Sequence, residues 1–329
     1  MRAVVRDLKN YISKNSQRQI PVGYSAADVR EVLQDTWAYL QCALDGDDND
    51  MSRSDFFGLN SYSWCGNSNF QTSQYDQLVT IFANTTVPVF FSEYGCNDPT
   101  PRLFDEVLAL YGPQMTVMSG GLVYEWTQET SNYGLVQLYS NNSAQLLQDY
   151  NTLQSQYNKL NVTLLESANS TATGLTPPAC GASLISGDGF ATDFNIPSPP
   201  DGADAVISSG ISNAPTGSIV PVTQTSVAVP VYDVNGAPIN NLAIAATSGS
   251  NTPSGQNTGG SASAGSSRSS SARSSSTRSS STGTQSGTAT GTATGSAAAA
   301  TSSGAANIFS GAGANGALAL VLGAGLYAL

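Results

Sequence analysis

The residue best placed to do chemistry is a carboxylate. Glu93 ends the run Val87-Pro-Val-Phe-Phe-Ser-Glu93, an apolar stretch suited to a strand buried on both faces. At the end of such a strand it is a candidate nucleophile or acid/base. Tyr62, Trp64, Tyr94, Tyr124 and Trp126 fall at the ends of this and two neighbouring apolar runs, an aromatic lining suited to stacking on sugar rings. Other chemistries are excluded by composition. The 329 residues contain no His, which removes Ser-His-Asp and Cys-His catalysis, the HExxH zinc site and His-ligated metals. A net charge of −11 excludes a basic nucleic-acid footprint. Gly311-Ala-Gly313-Ala-Asn-Gly316 matches GxGxxG, but no strand precedes it, so no dinucleotide loop follows. No cofactor and no metal are expected.

Four apolar, β-rich runs must position these groups: Ile20–Tyr24, Phe56–Tyr62, Val87–Glu93 and Gly121–Thr127, starting 36, 31 and 34 residues apart. Helical patterns lie between them. Ser25 and Asp28 have capping-box spacing, as do Ser73 and Asp76, and Thr100 with Pro101 reads as N-cap and first turn of a helix carrying Leu103, Phe104, Val107 and Tyr111. A last helix carries Leu146 to Tyr157, and a lead-in helix presents Val4, Val5, Leu8, Tyr11 and Ile12 on one face. Four βα units with this period predict an α/β fold: half of a (β/α)8 TIM barrel over residues 1–180. Strand C-termini form the reaction face of such a barrel, which puts Glu93 there.

The four cysteines fit this layout. Cys65 and Cys96 each lie three residues past the ends of adjacent runs, within bridging reach, which leaves Cys42 to Cys180. Without CxxC or His, two disulfides are favoured over a metal cluster.

Beyond residue 180 the composition changes. Residues 181–250 read as an extended, partly ordered linker, where Pro221 and Pro230 argue against a regular sheet around Ser226–Val234. Between Asn251 and Ala300, 42 of 50 residues are Ser, Thr, Gly or Ala, so residues 251–303 are expected to be a disordered, O-glycosylated stalk. Residues 304–329 combine small residues at Gly304-Ala-Ala, a short spacer and a 13-residue apolar tail, the layout of a glycosylphosphatidylinositol (GPI) signal with Gly304 as candidate attachment site. That tail falls short of the ~20 residues of a spanning helix. Sequons at Asn84, Asn141, Asn161 and Asn169 agree with an extracellular location. The expected place is the cell surface, on the outer leaflet of the plasma membrane through a GPI lipid, and the cell wall. The N-terminus is no signal peptide, since Arg2, Arg6, Asp7 and Lys9 interrupt it. The expectation is that the sequence begins in mid-domain.

Three blocks, Phe56-Phe-Gly-Leu-Asn60-Ser-Tyr62-Ser-Trp64-Cys65-Gly, Val87 to Asn97, and Ser119 to Trp126 with Glu129 to Val136, resemble the fungal β-1,3-glucanosyltransferases of glycoside hydrolase family 72. The resemblance runs from residue 1 to about Cys180. It implies a (β/α)8 barrel, of which residues 1–180 are the C-terminal half, that cuts one β-1,3-glucan chain and rejoins it to another, with a glucan donor and a glucan acceptor as partners. It further implies Glu93 as nucleophile, and Tyr62 and Tyr124 as substrate-binding tyrosines. The same cysteine pairing follows, and no cysteine remains after Cys180 for the family's Cys-rich carbohydrate-binding module. The family's acid/base is a Glu following an Asn on an earlier strand, upstream of a helix resembling residues 2–14. No Asn-Glu dipeptide occurs here, so the acid/base is absent from this chain.

Retaining glycoside chemistry needs two carboxyl groups about 5–5.5 Å apart, and losing a general acid/base lowers the rate about 10²–10⁴-fold. A half barrel also leaves two strand edges and an apolar interior open, so the expectation is that this polypeptide alone is inactive and poorly folded. Glu125 and Glu129 read as structural or rim charges. The acidic stretch Asp45–Asp55 lacks calcium-loop order and reads as a solvated loop. A non-catalytic, glucan-binding GPI-anchored wall protein is the alternative, and a plain endo-glucanase a third reading.

Overall fold

The computed structural model describes residues 1–243, except 167–174, 188–189, 216 and 218–222. The stalk, Gly304, the apolar tail and Asn169 lie outside the described residues. Among those described, no helix is long and apolar enough to cross a membrane.

Helix α1 (Arg2–Asn15) leads into a sheet of four parallel strands in chain order: β1 (Tyr24–Ala27), β2 (Phe57–Asn60), β3 (Val89–Tyr94) and β4 (Gly121–Val123). Helices α2 (Arg30–Gln41), α3 (Tyr75–Ile81) and α4 (Glu106–Leu110) make the crossovers. A parallel βαβ succession is what the alternating apolar runs require. The sheet ends at β1 and β4, each with one free edge among the described residues. A closed barrel is thus not formed by these residues.

Side chains alternate across the strands. Phe57, Leu59, Val89, Phe91 and Tyr94 are buried in one core with Leu33, Trp37, Leu40, Leu78, Phe82, Val107 and Leu110 of the helices. On the alternate positions, Ser25 and Ser92 both hydrogen-bond Asn60 Oδ1, at 3.1 and 2.6 Å, and their hydroxyls lie 2.7 Å apart. Gly58 makes room for this network. A Cβ there would stand 2.7 Å from Ser92 Oγ.

Several element boundaries differ from the sequence reading, each for a polar reason. Pairing of β1 begins at Tyr24 opposite Phe57 and not at Ile20, because Val22 N–H is taken by Asp55 Oδ2 and Pro21 has none to give. Ser25 is no cap, since it lies in β1 and bonds across the sheet. Asp28 pairs with Arg30 and accepts from Ser61 Oγ at 2.7 Å. Ser73 bonds Phe70 O, and α3 begins at Tyr75 without a side-chain cap. Thr100 and Pro101 do not open a helix. The chain there stays irregular until Glu106, because Arg102 is drawn into the interior by Asp149, Nε to Oδ2 at 2.6 Å. On α1, Val4 is exposed, whereas Arg2 is buried beside Val5, donating to Asp50 Oδ2 at 2.6 Å and to the carbonyls of Tyr39 and Cys42.

After β4, a hairpin of β5 (Val136–Leu138) and β6 (Ala144–Leu146) leads to α5 (Gln148–Tyr157) and the short α6 (Val162–Glu166). Several described stretches beyond residue 180 lie against the domain. Ser186 and Gly187 N–H groups donate to Asp35, α7 (Ala203–Ser209) packs on α1, and β7 (Val231–Tyr232) pairs with β6 in parallel. Both disulfides have the pairing read from the sequence: Cys42–Cys180 and Cys65–Cys96, with Cα atoms 5.0 and 5.1 Å apart. Asn84, Asn141 and Asn161 are exposed.

Candidate active site

Two irregularities in the sheet bring the candidate residues together. The β2–β3 register shifts after Leu59, so that Asn60 is level with Glu93 instead of Ser92. A second shift between Phe91 and Tyr94 follows on the β4 side. Glu93 thereby emerges, half-buried, at the carboxyl end of the sheet, while Tyr94 turns back into the core. The Ser61 N–H bonds Glu93 O at 2.9 Å, which carries the next residue, Tyr62, over the carboxylate.

The Tyr62 hydroxyl donates to Glu93 Oε2 at 2.7 Å. Burial, together with the hydrogen bond to Glu93 and its charge, pushes the Tyr62 pKa well above the ordinary tyrosine value. The phenol therefore remains a donor, holding one carboxylate oxygen and leaving the other for a reaction partner. Tyr124 and Tyr133 complete a wall of three rings. Centroids are 6.5 Å apart for Tyr62–Tyr124, 5.7 Å for Tyr62–Tyr133 and 5.3 Å for Tyr124–Tyr133, all edge to face. A hydrogen bond with Glu125 raises the Tyr124 pKa, with further contributions from desolvation and from Glu125, Glu129 and Glu93. Glu125 also accepts from Ser131 Oγ at 3.1 Å.

The aromatic lining read from the sequence is only partly present. Tyr62 and Tyr124 stand beside Glu93. Tyr94 is fully buried, its hydroxyl 2.8 Å from that of Tyr157, and Trp64 is buried against Tyr75. Trp126 is 54% exposed and leans on Tyr150 instead. Tyr133 belongs to the wall but was missed as a site residue. It arrives from a turn nine residues beyond Tyr124, and no periodicity marks it. Its place as the aromatic of the Glu129–Val136 block is its one signal.

Among the described residues no three His, Cys, Asp or Glu side chains come together to hold a metal ion. A cavity of about 430 Å³ lies at the other end of the sheet, where Leu110, Tyr111, Met115, Met118 and Leu164 line it without a carboxylate. The reactive groups sit on an open face, not in that cavity.

Comparison with known proteins decides what this face belongs to. Residues 1–161 match the glucanosyltransferase family, glycoside hydrolase family 72. This segment is a member of that family. The chain is 49% identical over 262 residues to 1,3-beta-glucanosyltransferase gel2 of Aspergillus fumigatus, a match spanning 79% of this chain and 54% of that protein. It is 46% identical over 240 residues to the probable 1,3-beta-glucanosyltransferase GAS3 of Saccharomyces cerevisiae, over 70% of this chain and 45% of that protein. The chain thus spans about half the length of these relatives. A crystal structure of S. cerevisiae Gas2 in complex with a compound is similar at a TM-score of 0.52 and 33% identity, over 62% of this chain and 45% of Gas2. A Gas2p mutant in complex with laminaritetraose and laminaripentaose matches at 0.50 and 34%, over 61% and 42%.

Proposed function

We propose that the Glu93 face is the nucleophile side of a β-1,3-glucan transglycosidase acting with retention. The observation that carries this reading is the Tyr62–Glu93 hydrogen bond within a wall of three tyrosines, in a segment of the glucanosyltransferase family. The free oxygen of Glu93 attacks the anomeric carbon of a bound glucan. The bond from that carbon to O3 of the next sugar breaks, and a second carboxyl protonates the departing oxygen. The 3-hydroxyl of an acceptor glucan then attacks the glucosyl–Glu93 ester and returns its proton to that carboxylate. The new β-1,3 linkage forms as Glu93 is released. Tyr62 keeps Glu93 oriented throughout, and ring faces bind the sugars while limiting water.

The second carboxyl is not supplied by an Asn-Glu pair of this sequence. Glu125 and Glu129 serve the Tyr124 hydroxyl and the rim in this reading. Outside the folded part, the reading includes an O-glycosylated stalk and a GPI lipid attached near Gly304, holding the site at the outer membrane leaflet and the wall. Glycans on the exposed Asn84, Asn141 and Asn161 fit that location.

The test is product length. Incubation with laminari-oligosaccharides, in the presence of the segment bearing the second carboxyl, is expected to give products longer than the substrate, and none with Glu93→Gln. Only shorter products would mean an endo-glucanase. Binding without turnover in that setting would favour the glucan-binding wall protein.

A further inference from the structure

A buried guanidinium stands directly behind the tyrosine wall. Arg102 is 2% exposed, and the three carbonyls it holds border the site. Its Nη1 donates to Tyr124 O at 2.6 Å and to Gly95 O at 3.3 Å, and Nη2 donates to Tyr133 O at 2.5 Å. Asp149, at the start of α5, fixes the fork. It accepts from Arg102 Nε at 2.6 Å and from the Arg102 backbone N–H at 3.0 Å. The cation lies 4.6 Å above the Phe104 ring and 5.7 Å from the Tyr133 ring. Gly95, two residues past Glu93, has φ of +110°, and a Cβ there would come within 3.1 Å of Nη1. A glycine is thus required for the strand exit to approach the guanidinium.

We propose that Arg102, clamped by Asp149, is the positioning residue that sets the Tyr124–Tyr133 wall against Glu93, and with it the fit of a β-1,3-glucan. This rests on the glucan-binding reading of the site. One planar group ties together three segments: the exit of β3, the end of β4 and the turn bearing Tyr133. A lysine cannot replace it, because a single ammonium cannot reach three carbonyls and a carboxylate in one plane.

The experiment compares laminaripentaose affinity of the full chain with that of Arg102→Lys, Asp149→Asn and Asp35→Asn, each at a temperature where it is fully folded. Asp35→Asn replaces one of the two buried acceptor oxygens that hold the Ser186 and Gly187 N–H groups, away from the site, and serves as the destabilised control. The expected result is an affinity about tenfold weaker for the two clamp variants and unchanged for the control. Clamp variants binding as tightly as the parent, or a control equally weakened, would overturn the proposal. If neither clamp variant folds, Phe104→Leu leaves the ion pair in place and removes the ring beneath it. It is then expected to bind about two- to threefold more weakly, and unchanged affinity would overturn the clamp. Absence of laminaripentaose binding by the parent chain would instead refute the glucan reading itself, a distinct outcome visible before any variant is made.

Discussion

Tyr62 and Glu93, thirty-one positions apart, are joined by a 2.7 Å hydrogen bond in which the phenol donates to Oε2. Only the register shift after Leu59 makes this possible, since it lifts Glu93 level with Asn60 and so within reach of the residue two positions on. Removing the hydroxyl in Tyr62→Phe is expected to leave the sheet intact. Hydrogen bonds to charged groups contribute about 1.5–3 kcal/mol, so glycosylation of Glu93 should slow by about ten- to a hundredfold. Laminaripentaose affinity should change far less. Pre-steady-state rates beside equilibrium binding separate the two effects, and equal losses in both would assign Tyr62 to binding alone.

Glu106 predicts a pH dependence of stability. Burial pushes its carboxyl from 4.5 up to about 7, against its own backbone N–H bond and the Arg102 charge. An acid whose folded pKa is raised is neutral in the folded state and ionises first in the unfolded one. Its contribution therefore turns unfavourable as pH rises above about 4.5, levelling off above about 7. Glu106→Gln should stabilise the domain by roughly 3 kcal/mol at pH 8 and have little effect at pH 4. Thermal melts of both proteins across that range provide the check. A constant difference in melting temperature would contradict the assignment.

The two disulfides should differ in weight. Cys42–Cys180 closes 138 residues and Cys65–Cys96 closes 31. Chain-entropy reasoning makes the longer loop the more stabilising by about 1 kcal/mol. Denaturant unfolding of the paired Cys→Ala variants should follow that order. The Cys65–Cys96 pair should in turn affect sugar affinity more, because it joins the loops directly after Tyr62 and Glu93.

On intact cells, phosphatidylinositol-specific phospholipase C should release the protein from the membrane into the medium. Substituting Gly304 and its two neighbouring alanines with bulky residues should abolish that release. Retention after phospholipase treatment would mean a different attachment.

The parallel strand order and both disulfide pairings were legible in the sequence, because apolar runs of regular spacing and equal cysteine offsets leave few arrangements. Glu93 was legible as a strand-end carboxylate for the same reason. Helix starts were not. Ser25, Ser73 and Thr100 have capping character, yet the first two hydroxyls bond elsewhere, and Arg102 overrides the third by drawing its segment inward. Tyr133 and the clamp behind it were hidden because they depend on carbonyls brought together from three segments. Residue types cannot encode carbonyl positions. The position of Tyr94 at the end of an apolar run suggests lining, but the register shift between Phe91 and Tyr94 turns it into the core.

The most direct test of the Glu93 assignment uses a donor that needs no proton from a second carboxyl. A β-configured laminari-oligosaccharyl fluoride carries its own leaving group, so the nucleophile can act alone. Intact-mass and peptide mass spectrometry of the chain after incubation should find one oligosaccharyl adduct, on the peptide containing Glu93. The same treatment of Glu93→Gln should find none. Bound sugar without an adduct on the parent chain, or an adduct on any other carboxylate, would contradict the account.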